Sequence, residues 1–88
     1  MNKINKQHIY EDTILNLLYL RQTSISTNDF HAIFGNTEQE AHNMVSNRHE
    51  DTNFINIGYI KYNEKNQTVS ITDFGKNYVE NKYKGRRA

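Results

Sequence analysis

Apolar residues in this chain fall into short clusters whose spacing changes along its length. Between Gln7 and Leu20, Tyr10, Ile14, Leu17 and Leu18 recur at steps of three and four with Arg21 next in the row, which predicts a first helix carrying Ile14, Leu17 and Leu18 inward. Thr23-Ser24-Ile25-Ser26 breaks that pattern with one β-branched apolar residue among polar ones. Phe30, Ile33 and Phe34 form one face of a second short helix, capped by Ser26 or Thr27, with Asp29 favourable in its first turn and Gly35 ending it. Thr37-Glu38-Gln39-Glu40 has capping-box spacing, so a third helix should begin there, carry Ala41, Met44 and Val45 inward and end near His49 or Glu50.

After a connecting segment from Asp51 to Ile57, the spacing shortens to two. Gly58-Tyr59-Ile60-Lys61-Tyr62 and Thr68-Val69-Ser70-Ile71-Thr72 alternate, and the polar stretch Asn63 to Gln67 between them predicts a β-hairpin. Thr72 then caps a final helix from about Asp73 to Tyr83, with Phe74, Tyr78 and Val79 packed. The closing Lys84-Gly85-Arg86-Arg87-Ala88 reads as a frayed, exposed tail, as do residues 1–6 at the other end.

The 88 residues leave room for one domain, 1–88, with a modest core. Mean hydropathy is low at −0.93, yet the periodic grouping of apolar residues and a net charge of only +1 point to a folded chain. The absence of cysteine excludes a disulfide framework and a cysteine-ligated zinc site. The run containing Ile14, Leu15, Leu17, Leu18 and Leu20 is too short to span a bilayer, so no membrane role and a cytoplasmic location are expected.

The predicted order of helix, helix, helix, hairpin and helix resembles the winged helix-turn-helix family over roughly residues 10–83. Gly58-Tyr59-Ile60 stands where such proteins often have Gly-Leu-Ile or Gly-Leu-Val, and Ile71-Thr72-Asp73-Phe74-Gly75 where many have Leu-Thr-x-x-Gly. The resemblance implies an α+β fold, with the Ile25 segment as a minimal strand beside the hairpin. It also implies binding to double-stranded DNA, since the family mostly does this. The third helix normally lies in the major groove, while some conjugation accessory proteins of this small format lead with the wing.

Charge favours the wing for this chain. Residues 38–51 are net −3, with Arg48 against Glu38, Glu40, Glu50 and Asp51. Residues 52–88 are net +4, with Lys61, Lys65, Lys76, Lys82, Lys84, Arg86 and Arg87 against Glu64, Asp73 and Glu80. The expected contact is therefore Lys61 and Lys65 with Asn63, Asn66 and Gln67, extended along the backbone by Lys82, Lys84, Arg86 and Arg87. Helix 3 is secondary: Asn43 and Asn47 can bond adenine edges, and Arg48 is its single cation. Four scattered histidines, no Gly-rich phosphate loop and no nucleophile with a base argue against an enzyme, and no cofactor or metal is expected.

These features lead to a small stand-alone sequence-specific DNA-binding protein, a transcriptional regulator or an accessory factor in replication or plasmid transfer. A homodimer on DNA is expected, because one such domain offers few phosphate contacts, with Tyr10, Tyr19, Tyr78 and Tyr83 at the seam. The alternative is a protein-interaction module that docks a basic partner through acidic helix 3.

Overall fold

The computed structural model describes residues 6–46 and 51–85. Their order is α1 (Lys6–Arg21), β1 (Ile25–Ser26), a 3-10 turn (Thr27–Asp29), α2 (Phe30–Phe34), a second 3-10 turn (Gly35–Thr37), α3 (Glu38–Ser46), α4 (Phe54–Ile57), β2 (Ile60–Asn63), β3 (Thr68–Ile71) and α5 (Asp73–Gly85). The fold class is α+β: the helices pack around an antiparallel sheet of order β1-β3-β2. Ile25 lies opposite Val69 and Ser26 opposite Thr68, while the hairpin pairs Ile60 with Ile71 and Tyr62 with Val69. No helix among the described residues is long and apolar enough to cross a membrane.

Nearly every element contributes to one core, with Ile14, Leu15 and Leu18 from α1, Ile25 from β1, Phe30 from α2, and Ala41, Met44 and Val45 from α3. Phe54, Ile60, Val69 and Val79 complete it. Leu17, expected inward, is only half-buried, and Leu15 takes its place. The reason is that α1 meets α3, α5 and β3 together, so its buried stripe is wider than a single row.

Three local expectations are corrected. Thr37 does not form a capping box, because the 3-10 turn runs directly into α3 and the Thr37 hydroxyl donates to the Phe34 carbonyl (2.8 Å). The connection after Asp51 is not irregular throughout, since Phe54–Ile57 forms a helical turn. Its three leading N–H groups are all satisfied: the Phe54 N–H donates to the Glu11 carboxylate (3.3 Å), and those of Ile55 (2.8 Å) and Asn56 (3.3 Å) donate to Asn53 Oδ1. Asn53 Nδ2 also donates to the Met44 carbonyl (3.0 Å), which joins the turn to α3. Finally, Phe74 is 56% exposed and outside the core, with one side of its ring against Tyr59 (5.0 Å between centroids).

Gly75 explains the position of Phe74. A Cβ on Gly75 would stand 2.2 Å from the Tyr59 carbonyl oxygen, so the helix can approach β2 this closely only without a side chain there. Thr72 joins the same corner: its hydroxyl donates to the Gly58 carbonyl and accepts from the Gly75 N–H (3.0 Å), which makes it the N-cap of α5. Gly58 adopts a left-handed conformation (φ 103) that closes α4 and turns the chain into β2. The motif residues Gly58, Thr72 and Gly75 thus form one corner between the hairpin and the last helix.

Candidate functional site

The hairpin loop is built from its own side chains. Asn63 Oδ1 accepts from the backbone N–H groups of Lys65 (3.0 Å) and Asn66 (3.3 Å), a local turn that holds the tip in shape. Gln67 is left-handed (φ 54), and its carbonyl accepts from the Thr27 N–H (2.8 Å). The tip is therefore pinned to the turn that opens α2. There, Ser26 Oγ accepts from the Asn28 N–H (3.1 Å), and Asn28 is exposed one residue from the pinning bond.

Lys61, Asn63, Lys65, Asn66 and Gln67 are all exposed, and neither lysine is paired with a described carboxylate. The pleat accounts for Lys61: Ile60 is buried and Tyr62 half-buried on one side of β2, which leaves Lys61 on the other. Glu64 is exposed on the same loop, so the described hairpin charge is two lysines against one carboxylate. Asn63 differs from the expectation in one respect, because its carbonyl oxygen is spent on the loop and only its amide N–H₂ is left to donate outward.

Helix α3 presents a different surface. Gln39 and Ser46 are exposed, whereas Asn43 is half-buried and accepts from Gln39 Nε2 (3.3 Å). The Glu38 carboxylate lies between two imidazoles, with His31 Nδ1 at 2.8 Å and His42 Nε2 at 3.3 Å. The His31 bond chiefly, helped by His42, holds the Glu38 carboxyl below the usual value. Glu38 is thereby engaged within the α2–α3 pair, and Glu40 is the exposed carboxylate of the helix. Asn47 and Arg48 lie outside the described residues.

Of the C-terminal cations, Lys82 is the one whose side chain is described, and it is engaged within the fold. Lys82 Nζ stands 3.4 Å from both carboxylate oxygens of Asp12 and 5.6 Å from the Tyr78 ring centroid, so its charge serves the contact between α5 and α1. Lys84 is within α5, though its side chain, like Arg86 and Arg87, lies outside what is described. Two tyrosines of the expected dimer seam pack within the chain: Tyr10 meets Phe34 edge-on at 5.2 Å, and Tyr78 stacks on Tyr59 at 4.3 Å. The Tyr19 hydroxyl donates to Glu80 Oε2 (3.1 Å), while Tyr83 is 45% exposed.

Sequence reasoning missed Asn28 and the bond between Thr27 and Gln67, because that contact joins residues 40 apart through the pairing of β1 with β3. No protein-family model, curated protein or solved structure matches this chain, so the meaning of its surface rests on the residues themselves.

Proposed function

We propose that this is a winged helix-turn-helix protein that binds double-stranded DNA and leads with its hairpin. The fold supports the reading through its order: β1 lies between α1 and α2, α3 follows α2 after one tight turn, and the β2–β3 hairpin precedes the last helix. The observation that carries the function is the hairpin itself, where Lys61 and Lys65, neither paired with a described carboxylate, stand among the exposed amides of Asn63, Asn66 and Gln67 on a loop already fixed in shape. Lysine ammonium groups attract phosphates, and the short amides of Asn66 and Gln67 reach a groove edge or the backbone. A fixed loop also loses little conformational entropy on docking.

Regulation of transcription, or an accessory role in replication or plasmid transfer, fits a protein of this format, acting as a homodimer on DNA. Fluorescence anisotropy on duplexes over a salt series tests the contact. Lys61→Ala with Lys65→Ala should weaken binding to all sequences and reduce the salt slope by about two units. Unchanged affinity at low salt removes the hairpin from the interface. Light scattering on the complex tests assembly, and a strict 1:1 stoichiometry at every protein concentration rejects the dimer.

A second reading has its own observation. Glu40 is exposed on α3 and no lysine or arginine lies among the described residues of that helix, a surface suited to a basic protein partner. Binding to a basic partner that Glu40→Gln abolishes, together with absent duplex binding at low salt, would favour it.

A further inference from the structure

At the end of the sheet away from the hairpin loop, the chain passes from α1 into β1 around a half-open hollow of about 140 Å³. Gln22, Thr23, Ser24, Ser70, Ile71 and Lys76 line it. Strand pairing accounts for the placement: Ile25 lies opposite Val69, so Thr23 and Ser24 continue alongside Ser70 and Ile71, and the first turns of α5 bring in Lys76. Ser70 stands about 10 Å along β3 from Gln67, since strands rise about 3.3 Å per residue. The hollow is thus separate from the hairpin loop.

Its chemistry is one-sided. Three hydroxyls, a carboxamide and an ammonium group surround it over the apolar floor of Ile71, and no carboxylate is among the lining residues. Asp73, which opens α5, does not line it. None of these five polar side chains is bonded to another described group. Gln22 closes α1 through its N–H to the Leu18 carbonyl (2.9 Å) and is left-handed (φ 58), a conformation that an L residue adopts at a cost. That bend separates Thr23 and Ser24 from the helix and opens the space.

We propose that this hollow is a binding site for a phosphate-type oxyanion. Lys76 supplies the charge, and Thr23, Ser24, Ser70 and Gln22 supply short donors that can surround a tetrahedral group. The volume accommodates one phosphate. With a single cation the affinity is modest, with a dissociation constant on the order of 1 mM. The source of the phosphate is a free small molecule or the backbone of a bound duplex. The site itself does not depend on the hairpin reading.

Nitrogen–proton correlation spectra of the full chain, titrated with inorganic phosphate against chloride at fixed ionic strength, test it. Saturable shifts confined to residues 22–24, 70–71 and 76 are expected, and Lys76→Gln with Ser70→Ala should weaken them at least about tenfold. The lined residues are exposed or half-buried, so the variant should keep the wild-type spectrum elsewhere. Absence of saturation, shifts spread equally over Lys61, Lys65 and Lys82, or an unaltered variant would overturn the proposal. Adding a short duplex identifies the source. Phosphate that binds alongside the duplex, with duplex affinity intact in the variant, marks a free ligand; competition, with weakened duplex affinity, marks the backbone.

Discussion

Glu11 is a carboxylate at 0% exposure beneath the half-exposed His8, and replacing it separates two effects that usually coincide. Burial raises its carboxyl above the ordinary value of 4.5, opposed by the bonds from His8 Nδ1 (2.6 Å) and the Phe54 N–H. Because the folded value exceeds the unfolded one, this group's contribution to stability is complete below pH 4.5 and is lost as pH rises through the folded value. Each unit of elevation corresponds to about 1.4 kcal/mol withheld at neutral pH. Glu11→Gln keeps the shape and an acceptor for Phe54 while removing the charge, so at pH 7 it should be neutral or stabilising. Glu11→Ala strands the buried Phe54 N–H, at about 1–3 kcal/mol, and removes a buried methylene worth about 0.8 kcal/mol, for a loss of about 2–4 kcal/mol. Urea unfolding of the three proteins from pH 4 to 7 measures this. The gap between wild type and Glu11→Gln should shift in favour of Gln as pH rises. A gap that does not vary with pH, or a Gln variant as unstable as Ala, would refute the argument.

The other predictions concern separate corners of the molecule. Gly75→Ala gains helix propensity of about 1 kcal/mol yet forces a methyl against the Tyr59 carbonyl, and the clash should prevail with a net loss of about 2 kcal/mol in urea unfolding. Asn53→Ala removes two caps and the bond to the Met44 carbonyl, so a loss of about 2 kcal/mol is expected; a loss below about 0.5 kcal/mol would mean that water replaces them. His31→Ala with His42→Ala should return the Glu38 carboxyl to its ordinary value, as read by carbon NMR titration of the side chain. Since Glu38 is depressed in the fold, its contribution is present above pH 4.5 and fades as pH falls through the lowered value, and the double variant should lack that acid-side loss.

Local pattern made much of this architecture readable. Phe30, Ala41, Met44, Val45, Ile60 and Val69 follow helical or alternating spacing and are buried, and Thr72 caps α5 as its position before Asp73 predicts. The turn Phe54–Ile57 was not read, because one helical turn is too brief to show a period, even though Asn53 precedes its short apolar run and Gly58 follows it. Nor were Phe74 and Gly75. A large aromatic on a helical face signals packing, whereas the backbone distance between α5 and β2 reserves the inward position for glycine. In the candidate site, exposure of Lys61 follows from alternation and that of Lys65 from its place in the polar loop, while engagement of Lys82 by Asp12 depends on how α1 and α5 cross, which no local window contains.

The bond between Thr27 and Gln67 has a mechanical consequence. A hairpin loop attached only at its own strands can swing as a hinge, whereas this one is also bolted to the start of α2. Bending the tip would have to stretch that bond or carry the second helix with it. The base of the loop and the start of α2 therefore keep a set spacing, like the jaws of a fixed gauge.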